Sequence, residues 1–315
     1  MKESVLNLSE NINNEVSLRL YALTRNNKNN PVEKYELRFA QIEGSAKVEV
    51  LEIIKKFLNN KNSDMDNIIS FFNFDEDYSP CYEIDSAKIP GFENLINLMS
   101  QYMNLKALRS LDIKVDSIVL EIIRGGDRFL FFQRINPKKE ITKGGLNMVL
   151  SDGSFNRVID SKSRLELRPY FDFVYMSNKN KFLIFDKNKF ENTFDFREIY
   201  NDATKTLIEI LRGKNVVVNQ ELATALLSNK HLAIKKKITN LHFGKIFENL
   251  DVSILEMTKG IYSEFNINLE IIDGKLHIRD EKNLKNILIV LSESCVKEAA
   301  AGTKFIAKSK KRIEA

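Results

Sequence analysis

The chain reads as an α+β protein: a mixed, mainly antiparallel sheet with covering helices, built as an N-terminal α/β region plus a larger C-terminal domain. Three observations carry this reading. Ser117–Arg124 and Arg128–Arg134 are β-branched and aromatic runs broken by Gly125-Gly126-Asp127, the composition of a β-hairpin. Both faces of that pair are apolar, with Ile118, Leu120 and Ile122 opposed to Val119 and Ile123, and Phe129 and Phe131 opposed to Leu130 and Phe132. A pair apolar on both faces belongs in the middle of a sheet covered on both sides. Third, segments of helical period are mixed irregularly with further hairpins along the chain, and no solenoid repeat is visible.

In order, Glu15–Leu23 alternates at period two and Val32–Ile42 does so less regularly, which predicts an N-terminal hairpin around the polar 26–30 loop. Ala46–Leu58 places Val50, Ile54, Phe57 and Leu58 on one stripe, with Lys47, Lys55 and Lys56 away from it, which predicts a helix. Asn59–Asn67 reads as loop, and Asp75-Glu76-Asp77 before Pro80 as a second, solvated one without an EF-hand pattern. Phe92–Leu111 follows Pro90-Gly91 and has apolar residues at helical spacing. A soft boundary near residue 115 then separates a 1–115 accessory region from a 116–315 domain.

Beyond the central hairpin, Met148–Leu150 and Phe155–Ile159 form a short hairpin, and Phe171–Met176 with Phe182–Phe185 another. Helices are expected over Phe194–Leu211 with Gly213 ending it, Asn219–Leu227, His231–Leu241 with Ala233, Ile234, Ile238 and Leu241 buried, and Leu250–Phe265. Asp273-Gly274 is a hairpin turn between Ile267–Ile272 and Lys275–Ile278. Asn283–Ser292 is expected to cover the sheet as a helix, and Thr303–Ala307 to be a last strand before the basic tail Lys308–Arg312.

At 315 residues with 43% hydrophobic content, the chain has the composition of a globular protein with a sizeable core. Two cysteines, Cys81 and Cys295, are too few for a disulfide framework or a cysteine zinc site, so an intracellular setting is expected. Neither a secretory h-region nor an apolar run of membrane-spanning length is found, so the chain is expected to be soluble and cytoplasmic. The net charge of +5 is unevenly spread along the sequence. Residues 1–100 hold 11 Lys/Arg against 16 Asp/Glu, and the rest hold 37 against 27. That pattern suggests a basic working half able to meet a polyanion.

Lys235-Lys236-Lys237 with Lys245 can neutralise phosphates without reading bases, and Arg164, Arg168, Lys138 and Lys139 could extend the surface. A solvated helix face accounts for the triplet equally well. No helix-turn-helix, zinc-finger or RNA-recognition signature accompanies these residues, so sequence-specific readout is not expected. Glu270 with Asp273-Gly274-Lys275 resembles the acid-x-lysine element of a metal-dependent nuclease, although Asp-Gly is also an ordinary hairpin turn. His231, His242 and His277 lack the spacing of a zinc pair, and serine-elbow, kinase, Walker and dinucleotide motifs are missing, so no catalytic residue, metal or cofactor is assigned.

The run Phe171–Phe194, the later Leu232-Ala-Ile-Lys-Lys-Lys-Ile238 and the ending Lys304–Arg312 resemble the B subunit of the bacterial Kiwa anti-phage defence system, over roughly residues 117–312. That resemblance implies a non-enzymatic effector that binds double-stranded DNA with little sequence preference. It also implies a multi-pass membrane partner, the Kiwa A subunit, which brings the protein to the inner face of the membrane. Blocked phage replication or expression, and a homo-oligomeric state such as a dimer, complete the expectation. No small-molecule substrate is implied. The rival readings are a metal-dependent nuclease and a purely structural adaptor.

Overall fold

The computed structural model describes residues 2–13, 16–26, 34–42, 44–72, 81–108, 115–135, 146–151, 154–157, 165–228, 232–292, 295–297 and 304–306. The chain divides into two compact units, Met1–Ser70 with Pro80–Phe196, and Phe71–Ser79 with Arg197–Ala315. The boundary expected near residue 115 falls inside the first unit. There the N-terminal hairpin is hydrogen-bonded directly to the central one, so the two share a sheet.

In the first unit a short helix α1 (Lys2–Asn11) precedes β1 (Ser17–Arg25), β2 (Tyr35–Ile42) and α2 (Gly44–Asn60). Strands β3 (Ile68–Ser70) and β4 (Cys81–Asp85) lead to α3 (Phe92–Ser100) and β5 (Lys106–Ala107). The central pair is β6 (Ser117–Arg124) and β7 (Asp127–Arg134), followed by β8 (Leu146–Ser151), β9 (Ser154–Arg157), β10 (Leu165–Leu167), β11 (Phe173–Met176) and β12 (Lys181–Ile184). Helix α4 (Lys187–Phe194) closes the unit, its start capped by Asp186, whose carboxylate accepts from the Lys189 N–H. The strands form one sheet in the order β10-β8-β9-β2-β1-β6-β7-β11-β12-β4-β3, with β5 also on β2. Pairing is antiparallel except for β2 with β5, β2 with β9, and β3 with β4.

Alternation along the strands sorts the side chains into two layers. Leu20, Ile118, Leu120, Ile122, Phe129 and Phe131 face a core shared with Val5 and Leu8 of α1 and Val50, Ile54 and Phe57 of α2. The opposite face carries Phe132, Phe173 and Phe182, which meet Phe92 of α3 and Phe190 and Phe194 of α4 as an aromatic cluster. Phe182 alone packs against Phe92, Phe132, Phe173, Phe190 and Phe194 at centroid distances of 4.6–6.1 Å, mostly edge to face. The Gly125-Gly126 turn has positive φ at both positions, as a two-residue hairpin turn requires.

The aromatic face also holds a charge. Glu121 of β6 is wholly buried, directly opposite Arg19 in the β1 register. Arg19 Nη1 donates to Glu121 Oε2 at 3.2 Å and the Tyr21 hydroxyl donates to the same oxygen at 2.8 Å. Arg128 Nε of β7 lies 2.7 Å from Oε1, a charge contact rather than an aligned hydrogen bond. Burial, then the Glu121 charge, push the Tyr21 phenol upward. A second buried carboxylate, Asp172, accepts from the Arg134 N–H at 2.6 Å and from Lys189 Nζ at 2.7 Å; burial raises its pKa against those bonds.

The second unit is mainly helical: α5 (Arg197–Lys214), α6 (Gln220–Leu227), α7 (Leu232–Phe243), α8 (Val252–Ser263), the hairpin β13 (Ile271–Ile272) and β14 (Lys275–Leu276), α9 (Glu281–Leu291), and the pair β15 (Cys295–Lys297) and β16 (Lys304–Ile306). Its core joins Leu207, Ile238, Leu241, Leu255, Leu276, Leu284 and Leu288. Helix α9, expected to cover a sheet, packs its apolar stripe into the core of this helical unit. Three further expectations shift. The Phe92–Leu111 helix stops at Ser100 because the chain beyond is drawn onto β2, beside its pairing with β9, where Lys106 pairs with Arg38. The helix expected over Phe194–Leu211 begins at Arg197, because Asp195 in the left-handed region ends the preceding helix at Phe194. Gly213 lies inside α5, which Asn215 terminates at φ +52.

Two expected outcomes follow. Phe182→Ala lowers unfolding free energy by about 3–5 kcal/mol, read from denaturant titration, since the buried ring leaves a cavity in an aromatic cluster. Stability also falls as pH rises. Burial pushes the Cys81 thiol up to about 12 from 9.0, and Tyr35, like Tyr21, is raised by burial. These groups stay protonated in the fold while the unfolded chain ionises. The thiol's contribution is therefore complete below pH 9 and lost between pH 9 and 12, and that of the tyrosines begins to be lost only above pH 10, at up to about 1.4 kcal/mol per pH unit per group. Denaturation midpoints across this range decide it, and Cys81→Ala should flatten the profile.

Candidate nucleic-acid interface

Five of the eight basic residues expected to meet DNA lie in described segments. Lys138, Lys139 and Arg164 lie outside the described residues. Lys235, Lys236 and Lys237 occupy the middle of α7, whose Ile234, Ile238 and Leu241 are buried in the second unit's core. Of the apolar set expected to be buried there, Ala233 is exposed, and Thr239 and Asn240 are buried instead.

The triplet does not simply fan into water. Lys235 Nζ donates to Asn201 Oδ1 at 2.8 Å, and Lys236 Nζ lies 5.9 Å from the centre of the Tyr200 ring, both partners being on α5. Two stems thus lie against the neighbouring helix, and all three lysines are partly exposed. An ammonium has three donors, so Lys235 can still meet a phosphate while it binds Asn201.

Lys245 sits in the turn after α7, exposed and in the left-handed region at φ +57, with its N–H donated to the His242 carbonyl. A cation here also complements the carboxyl end of α7. Lys214, at the end of α5, donates to the Glu248 carbonyl and so stands on the same turn. Just beyond, Asp251 caps α8. Hydrogen bonds from the Ser253 hydroxyl and N–H hold its carboxyl below the usual range, with Lys214 adding a smaller effect. Lys214 does not stand out in the sequence; its place in the last turn of α5 beside Arg212 is the available signal.

Arg168 belongs to the first unit and is held there. Its N–H donates to Gln133 Oε1 at 3.0 Å, its guanidinium donates to the Arg134 carbonyl, and it stacks over Tyr170 at 4.9 Å. The charge polarity along the sequence also dissolves in three dimensions. By composition the first unit holds 28 Lys/Arg against 25 Asp/Glu and the second 20 against 18, chiefly because the basic stretch 101–196 belongs to the first. A polyanion would therefore have to be met by local clusters, since neither unit is strongly basic as a whole.

The nuclease-like trio is not assembled. Asp273 and Gly274 form the β13–β14 turn, both at positive φ, and Asp273 is exposed. Glu270 turns elsewhere: its carboxylate lies 3.1 Å from His277 Nδ1 and 2.5 Å from Arg279 Nη2. Among the described residues no hydrogen bond or ion pair links Glu270, Asp273 and Lys275, and no three His, Cys, Asp or Glu side chains gather as a metal site. Glu121 and its two arginines are likewise inconspicuous in the sequence. Their one signal there is a lone acid in a strand apolar on both faces.

A family model described as Kiwa protein KwaB-like matches residues 113–299, more than half of the chain and spanning β6 through β15. No curated protein and no solved structure matches. Among the described residues, no helix is long and apolar enough to cross a membrane.

Lys245 offers a variant that separates charge from fold. Lys245→Gly should keep or raise thermal stability, by up to about 1 kcal/mol, because glycine relieves the left-handed backbone. A melting curve checks this; a large loss would show that the lysine side chain holds the turn.

Proposed function

The chain belongs to the Kiwa protein KwaB-like family, a component of the multi-subunit Kiwa anti-phage defence system, and from that premise we propose that it is an effector that binds double-stranded DNA without marked sequence preference. The family match carries the reading, and it takes in α7, its lysine triplet and the Lys245 turn. In this proposal Lys237, Lys245 and Lys214, with the ammonium groups of Lys235 and Lys236, meet backbone phosphates. Such contacts position a duplex but read no base edge. Recruitment by the multi-pass membrane A subunit would bring the effector to the inner face of the membrane, where bound DNA is withheld from replication or expression. A homo-oligomer, such as a dimer, would multiply weak phosphate contacts through avidity.

The protein acts here by occupancy rather than by bond cleavage. Supporting this, Glu270 is paired with His277 and Arg279, and the exposed Asp273 serves the turn.

Binding of unrelated duplexes across a salt series, with and without Mg²⁺, tests the proposal. Retention should weaken with salt and leave DNA intact. Lys235→Ala/Lys236→Ala/Lys237→Ala and Lys245→Gly should each reduce affinity, with the log–log salt slope shrinking by about one for each phosphate no longer neutralised. Duplex retention at low salt that neither variant changes would place the interface elsewhere. No retention at any salt would favour the adaptor reading, and Mg²⁺-dependent cleavage abolished in Asp273→Ala would establish the nuclease.

A further inference from the structure

The charge cluster on the aromatic face of the first unit sets two arginines against one carboxylate. One arginine neutralises one carboxylate, and Tyr21 already serves the same oxygen as Arg19, yet Arg128 contacts the other oxygen too. With Glu121 ionised, the group keeps one net positive charge. Its two guanidinium side chains are each 21% exposed, while the carboxylate that holds them is buried completely. Both arginines approach the same carboxylate, and Arg128 Nη1 and Nη2 also donate to Ser100 Oγ of α3 at 3.3 and 3.4 Å, contacts an incoming anion would replace. That arrangement suits a bidentate anion such as a phosphoryl group.

The surroundings narrow the ligand further. Arg19 lies 3.8 Å over the Tyr102 ring, and Tyr102 meets Phe39 of β2 at 5.4 Å. Both rings are half-buried, and the neighbouring residues of this strip, Ser17 and Gln41, are exposed. Helix α3 covers the sheet over β11 and β12 through Phe92, against Tyr175 and Phe182. Helix α3 reaches β2 as well, yet the strip over β1 and β2 keeps Arg19, Phe39 and Tyr102 partly exposed, so arginine and aromatic rings meet solvent together there. Open sheet faces of this composition stack unpaired bases and pair with their phosphates.

We propose that Arg19, Arg128, Tyr102 and Phe39 form a binding site for a phosphate ester carrying an unpaired base, supplied by a single-stranded nucleic acid or by a free nucleotide. Arg19 and Arg128 take the phosphoryl oxygens, and the Tyr102 and Phe39 rings offer the stacking surface. Glu121 is a positioning residue: it fixes the two forks without touching the ligand. The site is separate from the duplex-binding reading of the second unit, and either can fail without the other.

Fluorescence anisotropy of a labelled oligothymidylate with the full chain tests this, with thymidine monophosphate as competitor and a blunt duplex measured in parallel. Tyr102→Leu leaves the ion network whole, and Arg19→Lys keeps the charge beside Glu121 while removing the fork. Each should weaken oligothymidylate binding about tenfold, Tyr102→Leu at unchanged melting temperature. Duplex binding should be spared by Tyr102→Leu and reduced by Lys245→Gly, which separates the two sites. Displacement by the mononucleotide would identify a free nucleotide as a sufficient ligand, and strand binding without displacement would identify the strand; either supports the site. No saturable binding of strand or mononucleotide, or equal strand affinity in wild type and Tyr102→Leu, overturns it.

Discussion

Strand β6 is buried on both faces, and much of the first unit follows from that. A strand with Ile118, Leu120 and Ile122 on one side and Val119 on the other must have neighbours on both edges and a layer on both faces. β1 and β7 supply the edges, α1 and α2 cover one face, and α3 and α4 cover the other through a phenylalanine cluster. Inside this strand stands Glu121. A carboxylate so placed is tolerable only where its charge is met, so Arg19, Tyr21 and Arg128 are constrained as tightly as the core itself. The pairing of β1 with β6 thus carries an electrostatic requirement in addition to its hydrogen bonds, because a slip of one residue would turn Arg19 away from Glu121.

The second unit is organised differently. Its helices bury one apolar stripe each around a common core, and its charges stay on the perimeter in short local arrangements. Lys235 and Lys236 show how such a unit uses a cation twice: the stem packs against α5, while the ammonium remains within reach of an external anion. Because the two units carry nearly balanced charge, any grip on DNA depends on which lysines are brought together locally. Total charge does not identify the surface.

Membership of the Kiwa protein KwaB-like family ties the chain to anti-phage defence, and the match runs from the central sheet strands into the helical unit. The open strip of the sheet draws Arg19, Phe39 and Tyr102 from outside the matched residues, and only Glu121 and Arg128 from within them. On the proposed reading, the lysine-bearing helical unit and the arginine–aromatic sheet face would be separate surfaces for duplex and for unpaired nucleotides. Such a division would suit recognition of DNA being replicated or expressed, where both forms coexist.

Period and composition in the sequence determined the elements with strong local signals. The Gly125-Gly126 hairpin, the two-sided burial of β6 and β7, the stripe of α2, the Asp273-Gly274 turn and the helical segments of the second unit all rest on residues close in sequence. Family resemblance was also legible, since it resides in runs of adjacent residues. The tertiary structure decided what depends on distant partners. It ended α3 at Ser100 by drawing the following residues onto β2, put β1–β5 and the central hairpin in one sheet, and packed α9 into the helical unit. It also divided the named lysines between contact with α5 and exposure, and set Glu121 against Arg19, roughly a hundred residues away. The physical reason is common to all of these. Backbone period and turn geometry are local energies written in neighbouring residues, whereas strand partners, ion pairs and convergent surfaces are set by which distant groups folding brings within a few ångströms.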